Sequence, residues 1–215
     1  MKKGLIITLP RHDVVTEYLA YFSKQIIDEA ENNNLPCKQL KDKEVKKDNF
    51  EKIVKNIGYK LLVLNGHGTT QAIYGYANQP LVEEGTNEEI LTERITYARA
   101  CDSAFSLGKV AMKNNKEGCF IGYELPFQFY CDITWEGNPG KDKVAPIFLE
   151  PSNTAPTAII KGKTAEEAHS ASKRAILKNM NKVLRKADPE SLAIAEALWN
   201  NYEGQVLLGN LSATL

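Results

Sequence analysis

The sequence predicts a three-layer α/β sandwich, with a central, mostly parallel sheet and helices on both faces. Apolar runs without polar alternation stand at Gly4 to Leu9, Tyr59 to Asn65, Ile95 to Ala100 and Gly118 to Tyr123, as expected of strands covered on both sides. Segments of helical period separate them, and strand–helix–strand order argues for right-handed crossovers in a parallel sheet. The 215 residues suffice for one sizeable core and are few for two, and no linker divides them, so 1–215 reads as one domain.

Asp13 is placed to N-cap a helix whose apolar positions Val15, Tyr18, Leu19, Phe22, Ile26 and Ala30 recur at helical spacing. Asn32-Asn33-Asn34 ends it, and Leu35 to Leu40 follows as a weak second strand. Lys41 to Lys47 reads as a solvated loop. Asp48 and Glu51 then form a capping-box pattern before Phe50, Ile53, Val54 and Ile57. Between the runs ending at Asn65 and starting at Ile95, Ile73 to Tyr76 and Gln79 to Val82 read as a small hairpin outside the main sheet. Ser103 to Asn114 is expected to be helical. Phe127 to Pro156 is expected to be irregular, with a turn signal at Gly137-Asn138-Pro139-Gly140. Thr164 with Glu167 opens a long helix, and Asp188-Pro189 opens another that runs to about Tyr202 and stops at Gly204.

Lys plus Arg and Asp plus Glu number 27 each, so net charge gives no reason to expect a nucleic acid or an anionic membrane as partner. Met1-Lys2-Lys3 and the following apolar run imitate a secretory signal. That run is too short, and Arg11-His12-Asp13 interrupts it. The four cysteines, Cys37, Cys101, Cys119 and Cys131, form no CxxC pair and show no zinc-site spacing, so reduced thiols and a cytoplasmic location are the expectation.

Two of the apolar runs end on reactive side chains. The third strand delivers Asn65-Gly66-His67-Gly68, and the next delivers Arg99-Ala100-Cys101-Asp102-Ser103-Ala104. A buried strand ending in a small-residue turn is a rigid mount at the rim of a sheet. An imidazole on one such tip and a thiol on the next are the groups needed for nucleophilic attack on a carbonyl. Gly68 allows a sharp turn, and its N–H with that of Cys101 would make a two-donor oxyanion hole. A helix starting just after Cys101 would favour its thiolate.

The His-Gly and Ala-Cys-x-Ser strand ends resemble the caspase–hemoglobinase superfamily of cysteine peptidases, and the Ala-Cys-x-Ser-Ala turn is similar to that of prokaryotic caspase-like, CHAT-type proteins. The resemblance spans about Gly4 to Tyr123. It implies an endopeptidase with a His67/Cys101 dyad, Gly68 in the oxyanion hole, no metal in catalysis and no cofactor, acting on a protein or peptide substrate. It also implies work in prokaryotic stress or antiviral pathways, with recruitment by a regulatory or sensor protein.

Strand alternation puts Tyr97, Arg99 and Cys101 on one face. In the related peptidases the position two before the cysteine lines the pocket for the residue preceding the cut, so Arg99 implies acidic specificity, with Arg11 as a second cation. The opposite reading has Asp13, Asp102 or Asp132 facing the pocket and selecting Lys or Arg. Structural readings stand beside these: Arg99 paired with Glu93, Arg11 as a loop cation, Asp13 as a helix cap, and Cys101 as a buried thiol. His12 and His169 read as surface residues. The rival function is a catalytically weak interaction module recruited by a partner protein. A Gly-x-Cys-x-Gly hydrolase elbow does not fit Arg-Ala-Cys-Asp-Ser.

Overall fold

The computed structural model describes residues 1–113 and 117–215. In chain order the main elements are β1 (Lys2–Leu9), α1 (Val14–Phe22), α2 (Lys24–Asn32), β2 (Cys37–Lys41), α3 (Lys47–Ile57), β3 (Tyr59–Asn65), β4 (Ala72–Tyr74), β5 (Pro80–Glu83), β6 (Ile95–Arg99), α4 (Leu107–Met112), β7 (Cys119–Tyr123), α5 (Pro146–Ser152), α6 (Thr154–Ile160), α7 (Ala165–Leu184), α8 (Pro189–Gly204) and β8 (Gln205–Gly209).

Period-two alternation sorts the strand residues into two cores. Ile6, Leu62, Leu64, Ala98 and Phe120 face Phe50 and Val54 of α3 and Leu107 of α4. Leu5, Ile7, Leu61, Val63, Ile95, Tyr97 and Ile121 face Ile26 and Ala30 of α2, Ala155 and Ile159 of α6 and Ala168 of α7. The sheet order is β2-β1-β3-β6-β7-β8, parallel except for β8, which runs antiparallel to β7. This is the mostly parallel sheet with helices on both faces that the sequence predicts. The β4–β5 hairpin stands outside it as a separate two-stranded sheet.

Several boundaries differ from expectation, each for a local reason. The first helix breaks at Ser23, where the Leu19 carbonyl accepts from the Ser23 amide, the Ser23 hydroxyl and the Arg99 guanidinium at once. The Asp48–Glu51 capping box does not form, because α3 begins at Lys47 with Lys46 in the cap position, two residues before Asp48. Residues 103–106 are turns, and α4 begins only at Leu107; Asn114, the expected end of that helix, lies outside the described residues. The stretch expected to be irregular up to Pro156 contains α5 and the start of α6, with Pro146 at the first turn of α5. The Asp13 cap, the Thr164–Glu167 capping box and the Asp188 cap form as read, and at Asp13 the Thr16 side chain completes a box. Among the described residues no helix is long and apolar enough to cross a membrane.

Candidate active site

β1, β3 and β6 lie side by side and parallel, so their carboxyl ends share one rim of the sheet, where open α/β sheets bind ligands. Asn65 pairs with Arg99 at the last rung between β3 and β6. His67 and Cys101 each stand two residues beyond that rung, at the tips of neighbouring strands. The two tips touch through backbone. A Cβ added to Gly68 would lie 2.3 Å from the Cys101 carbonyl oxygen and 2.8 Å from its nitrogen, so only glycine allows this approach. The Gly68–Ile73 bridge uses the carbonyl of His67 and the amide of Thr69, which leaves the Gly68 N–H on the edge away from the hairpin.

The third arm comes from the end of β1. Arg11 takes a left-handed conformation (φ 44°), the chain turns, and Asp13 caps α1. One carboxylate oxygen, Oδ1, accepts from the Thr16 amide at 2.8 Å. The other, Oδ2, accepts from His67 Nε2 at 2.7 Å. Burial works to raise the Asp13 pKa, but the bonds from the Thr16 amide, the His67 ring and the Thr16 hydroxyl outweigh it and hold the carboxyl below its ordinary range. Asp13 thus remains an anion and fixes the tautomer of His67: the proton sits on Nε2, and Nδ1 is left to exchange a proton with a reacting group. The sequence reads this carboxylate as a helix cap or a pocket acid, and it carries no sign of the bond to His67.

His12 departs from expectation. It is no surface residue: its side chain is 9% exposed, its Nε2 lies 3.0 Å from Asn78 Oδ1 and 3.5 Å from Asp13 Oδ2, and its ring meets those of His67 and Tyr76 edge-on. His169 is likewise half-buried on α7, with Nε2 3.1 Å from the Gln205 carbonyl oxygen, and burial lowers its pKa.

Cys101 is half-buried beneath an extended strap that follows β7. Its Sγ–H donates to the Phe127 carbonyl at 3.8 Å, and the neighbouring Asp102 amide donates to the Leu125 carbonyl. Asn200 and Asn201 of α8 hold that strap: Asn201 exchanges bonds of 2.6 and 2.8 Å with the Gln128 backbone, and Asn200 donates to the Pro126 carbonyl. Burial pushes the thiol above its usual range, with the Phe127 carbonyl opposing and Asp102 adding to the rise. The expected help from a helix start is absent, because α4 begins six residues on. At rest the sulfur is a thiol, and a base is needed to ionise it.

The pocket role expected for Arg99 is corrected. Arg99 does share a face with Tyr97 and Cys101, but that face is covered by α1 and the α5–α6 junction, and the side chain is 0% exposed. Its nitrogens donate to Asn65 Oδ1, Ser152 Oγ, Asn153 Oδ1, the Leu19 carbonyl and Ser23 Oγ at 2.8–3.0 Å. Glu93, its suggested partner, is not among them. Arg99 is a buried cation held by neutral acceptors, and it ties β3, β6, α1 and the α5–α6 junction together directly beneath the site.

The other expected pocket residues are dispersed. Arg11 is exposed and pairs weakly with Glu17 at 3.9 Å. It borders a cleft of about 510 Å³ with Lys41, Lys43 and Tyr76. Asp102 is half-exposed beside Cys101; burial raises its pKa, and among the described residues no cation pairs with its carboxylate. Asp132 caps a short turn by accepting from the Thr134 amide.

The chain matches no protein-family model and no curated protein sequence. Among solved structures its fold is similar to that of gingipain R, an Arg-specific cysteine proteinase, with a TM-score of 0.61 at 13% identity over 99% of this chain. That match covers 47% of the gingipain R chain, so the present chain spans about half its length. At this identity the likeness establishes the caspase-like α/β fold.

Proposed function

We propose that this chain is a cysteine endopeptidase of the caspase–hemoglobinase superfamily, related in its Ala-Cys-x-Ser-Ala turn to the prokaryotic CHAT-type proteins. The observation that carries the reading is the meeting of the His67-Gly68 and Cys101 strand tips, with His67 held by the Asp13 carboxylate at 2.7 Å. Similarity of fold to a cysteine proteinase supports it. The Cys101 thiol gives its proton to His67 Nδ1 as sulfur attacks the scissile carbonyl, and the Gly68 and Cys101 N–H groups receive the oxyanion. Imidazolium then protonates the departing amine, and water hydrolyses the thioester. Asp13 acts as a positioning residue through His67.

Asp13→Asn separates that role from capping. Asparagine caps a helix about as well as aspartate, so the melting temperature should hardly move. The imidazolium loses its counter-charge, and kcat should fall by about 10²–10⁴-fold. Unchanged kcat would remove Asp13 from the site.

With Arg99 buried, acidic specificity rests on Arg11 alone. Asp102 stands beside the nucleophile without a cation, and the similar structure belongs to an Arg-specific enzyme, so we assign a basic residue before the cut, held by Asp102. A peptide library scanned at that position should yield cleavage after Arg or Lys, lost about ten- to a hundredfold in Asp102→Asn, the worth of one charge-assisted hydrogen bond. Cleavage after Asp or Glu would restore the acidic assignment and Arg11. The raised thiol pKa and the Phe127 carbonyl over Cys101 favour one second reading, a recruited interaction module of weak activity; binding without cleavage across the library would select it. Recruitment by a sensor protein in a prokaryotic cytoplasm belongs to either reading.

A further inference from the structure

The His12, Asp13 and His67 side chains place two imidazole nitrogens and a carboxylate oxygen within 4.8 Å of one another. His67 Nε2 lies 2.7 Å and His12 Nε2 3.5 Å from Asp13 Oδ2, and Asn78 Oδ1 stands 3.0 Å from His12 Nε2 as a fourth donor. Around a tetrahedral Zn²⁺ with bonds near 2.0–2.1 Å, neighbouring donors stand about 3.3 Å apart. The His12–Asp13 separation already meets that span, and the His67–Asp13 pair must open by roughly half an ångström, well within side-chain motion. Two imidazoles and one carboxylate suit zinc and not the hard, oxygen-seeking magnesium or calcium.

We propose that His12, Asp13 and His67, with Asn78, form a reversible inhibitory zinc site built around the imidazole of the proposed dyad. This rests on the peptidase reading for its consequence, though not for the binding itself. Zinc takes the Nε2 lone pair of His67, so the single ring proton moves from Nε2 to Nδ1. The ring then has no lone pair to accept the proton of Cys101, and Asp13 is drawn from its orienting bond to the metal.

The same geometry sets the strength. Metal-bound histidines ordinarily donate their second N–H to an acceptor, and loss of such a partner weakens binding by about 10–100-fold. The His12 Nδ1 is buried without a hydrogen-bond partner among the described residues. The site is therefore weaker than a structural zinc centre and able to release the ion, as a regulatory metal must.

Zinc titration of the Cys101→Ala protein, followed with a chromophoric chelator, tests this apart from catalysis. One equivalent should bind, magnesium and calcium should not compete, and His12→Gln and His67→Gln should each weaken binding about tenfold or more. In the parent enzyme zinc should suppress peptide cleavage, with its half-inhibiting concentration raised by the same factor in His12→Gln relative to that variant's own zinc-free rate. Loss of binding in Cys101→Ala would put the ion on the thiol, and equal binding by both histidine variants would place it elsewhere; either overturns the proposal. Absence of peptide cleavage would overturn the peptidase reading and leave the zinc titration intact.

Discussion

Cys101→Ala is expected to fold as the parent chain does and to cut no peptide. The side chain is half-buried, and among the described residues its sulfur makes one hydrogen bond, to the Phe127 carbonyl at 3.8 Å, so its truncation should cost under about 1 kcal/mol. The turn that carries it is held by other bonds: the Ser103 hydroxyl donates to the Ala100 carbonyl, and the Ala104 amide to that of Tyr123. Removing the proposed nucleophile leaves only the proposed oxyanion donors and substrate positioning. Loss in kcat should therefore be on the order of 10⁴-fold or more. Near-parental turnover by a folded Cys101→Ala protein would mean that the chemistry is carried by another group.

Arg99→Met should produce the largest loss of stability of any single substitution considered. Methionine fills much of the same volume without a donor. It would leave Asn65 Oδ1, Asn153 Oδ1 and the serine oxygens facing apolar atoms in a dry interior. Leaving these buried acceptors without a donor costs about 1–3 kcal/mol for each, visible as a lower denaturant midpoint. Lysine should restore only part of it, because a point charge cannot span acceptors on β3, α1 and the α5–α6 junction as a planar fork does. The surviving folded fraction should also be less active, since the Asn65–Arg99 bonds hold the two strand tips beside each other. Stability within about 0.5 kcal/mol of the parent would show that the network is incidental.

The way this fold was and was not legible in the sequence follows from what burial writes into a chain. Strands covered on both faces are apolar throughout, and β1, β3, β6 and β7 announce themselves. β8 does not, because an edge strand with half-buried Val206, Leu207 and Leu208 resembles the frayed end of α8. α5 and α6 were hidden by Pro146, Pro151 and Pro156, which read as loop punctuation; Pro146 instead occupies a first-turn position, where its missing N–H is harmless. The same limits apply at the site. His67 and Cys101 are legible because each ends an apolar strand before a small-residue turn. The Asp13 contact joins residues 54 positions apart, and no local pattern encodes it. Arg99 was placed on the correct face, but alternation cannot say what covers that face, and here the α5–α6 junction does.

The account rests on His67 and Cys101 acting as one unit at adjoining strand tips. A peptide chloromethyl ketone with a basic residue next to the warhead, read by mass spectrometry, tests this most directly. The label should fall on Cys101 ahead of Cys37, Cys119 and Cys131, and His67→Ala should abolish it in a folded protein. Labelling of Cys101 at an undiminished rate in His67→Ala, or a label spread over the other three thiols, would contradict the pairing.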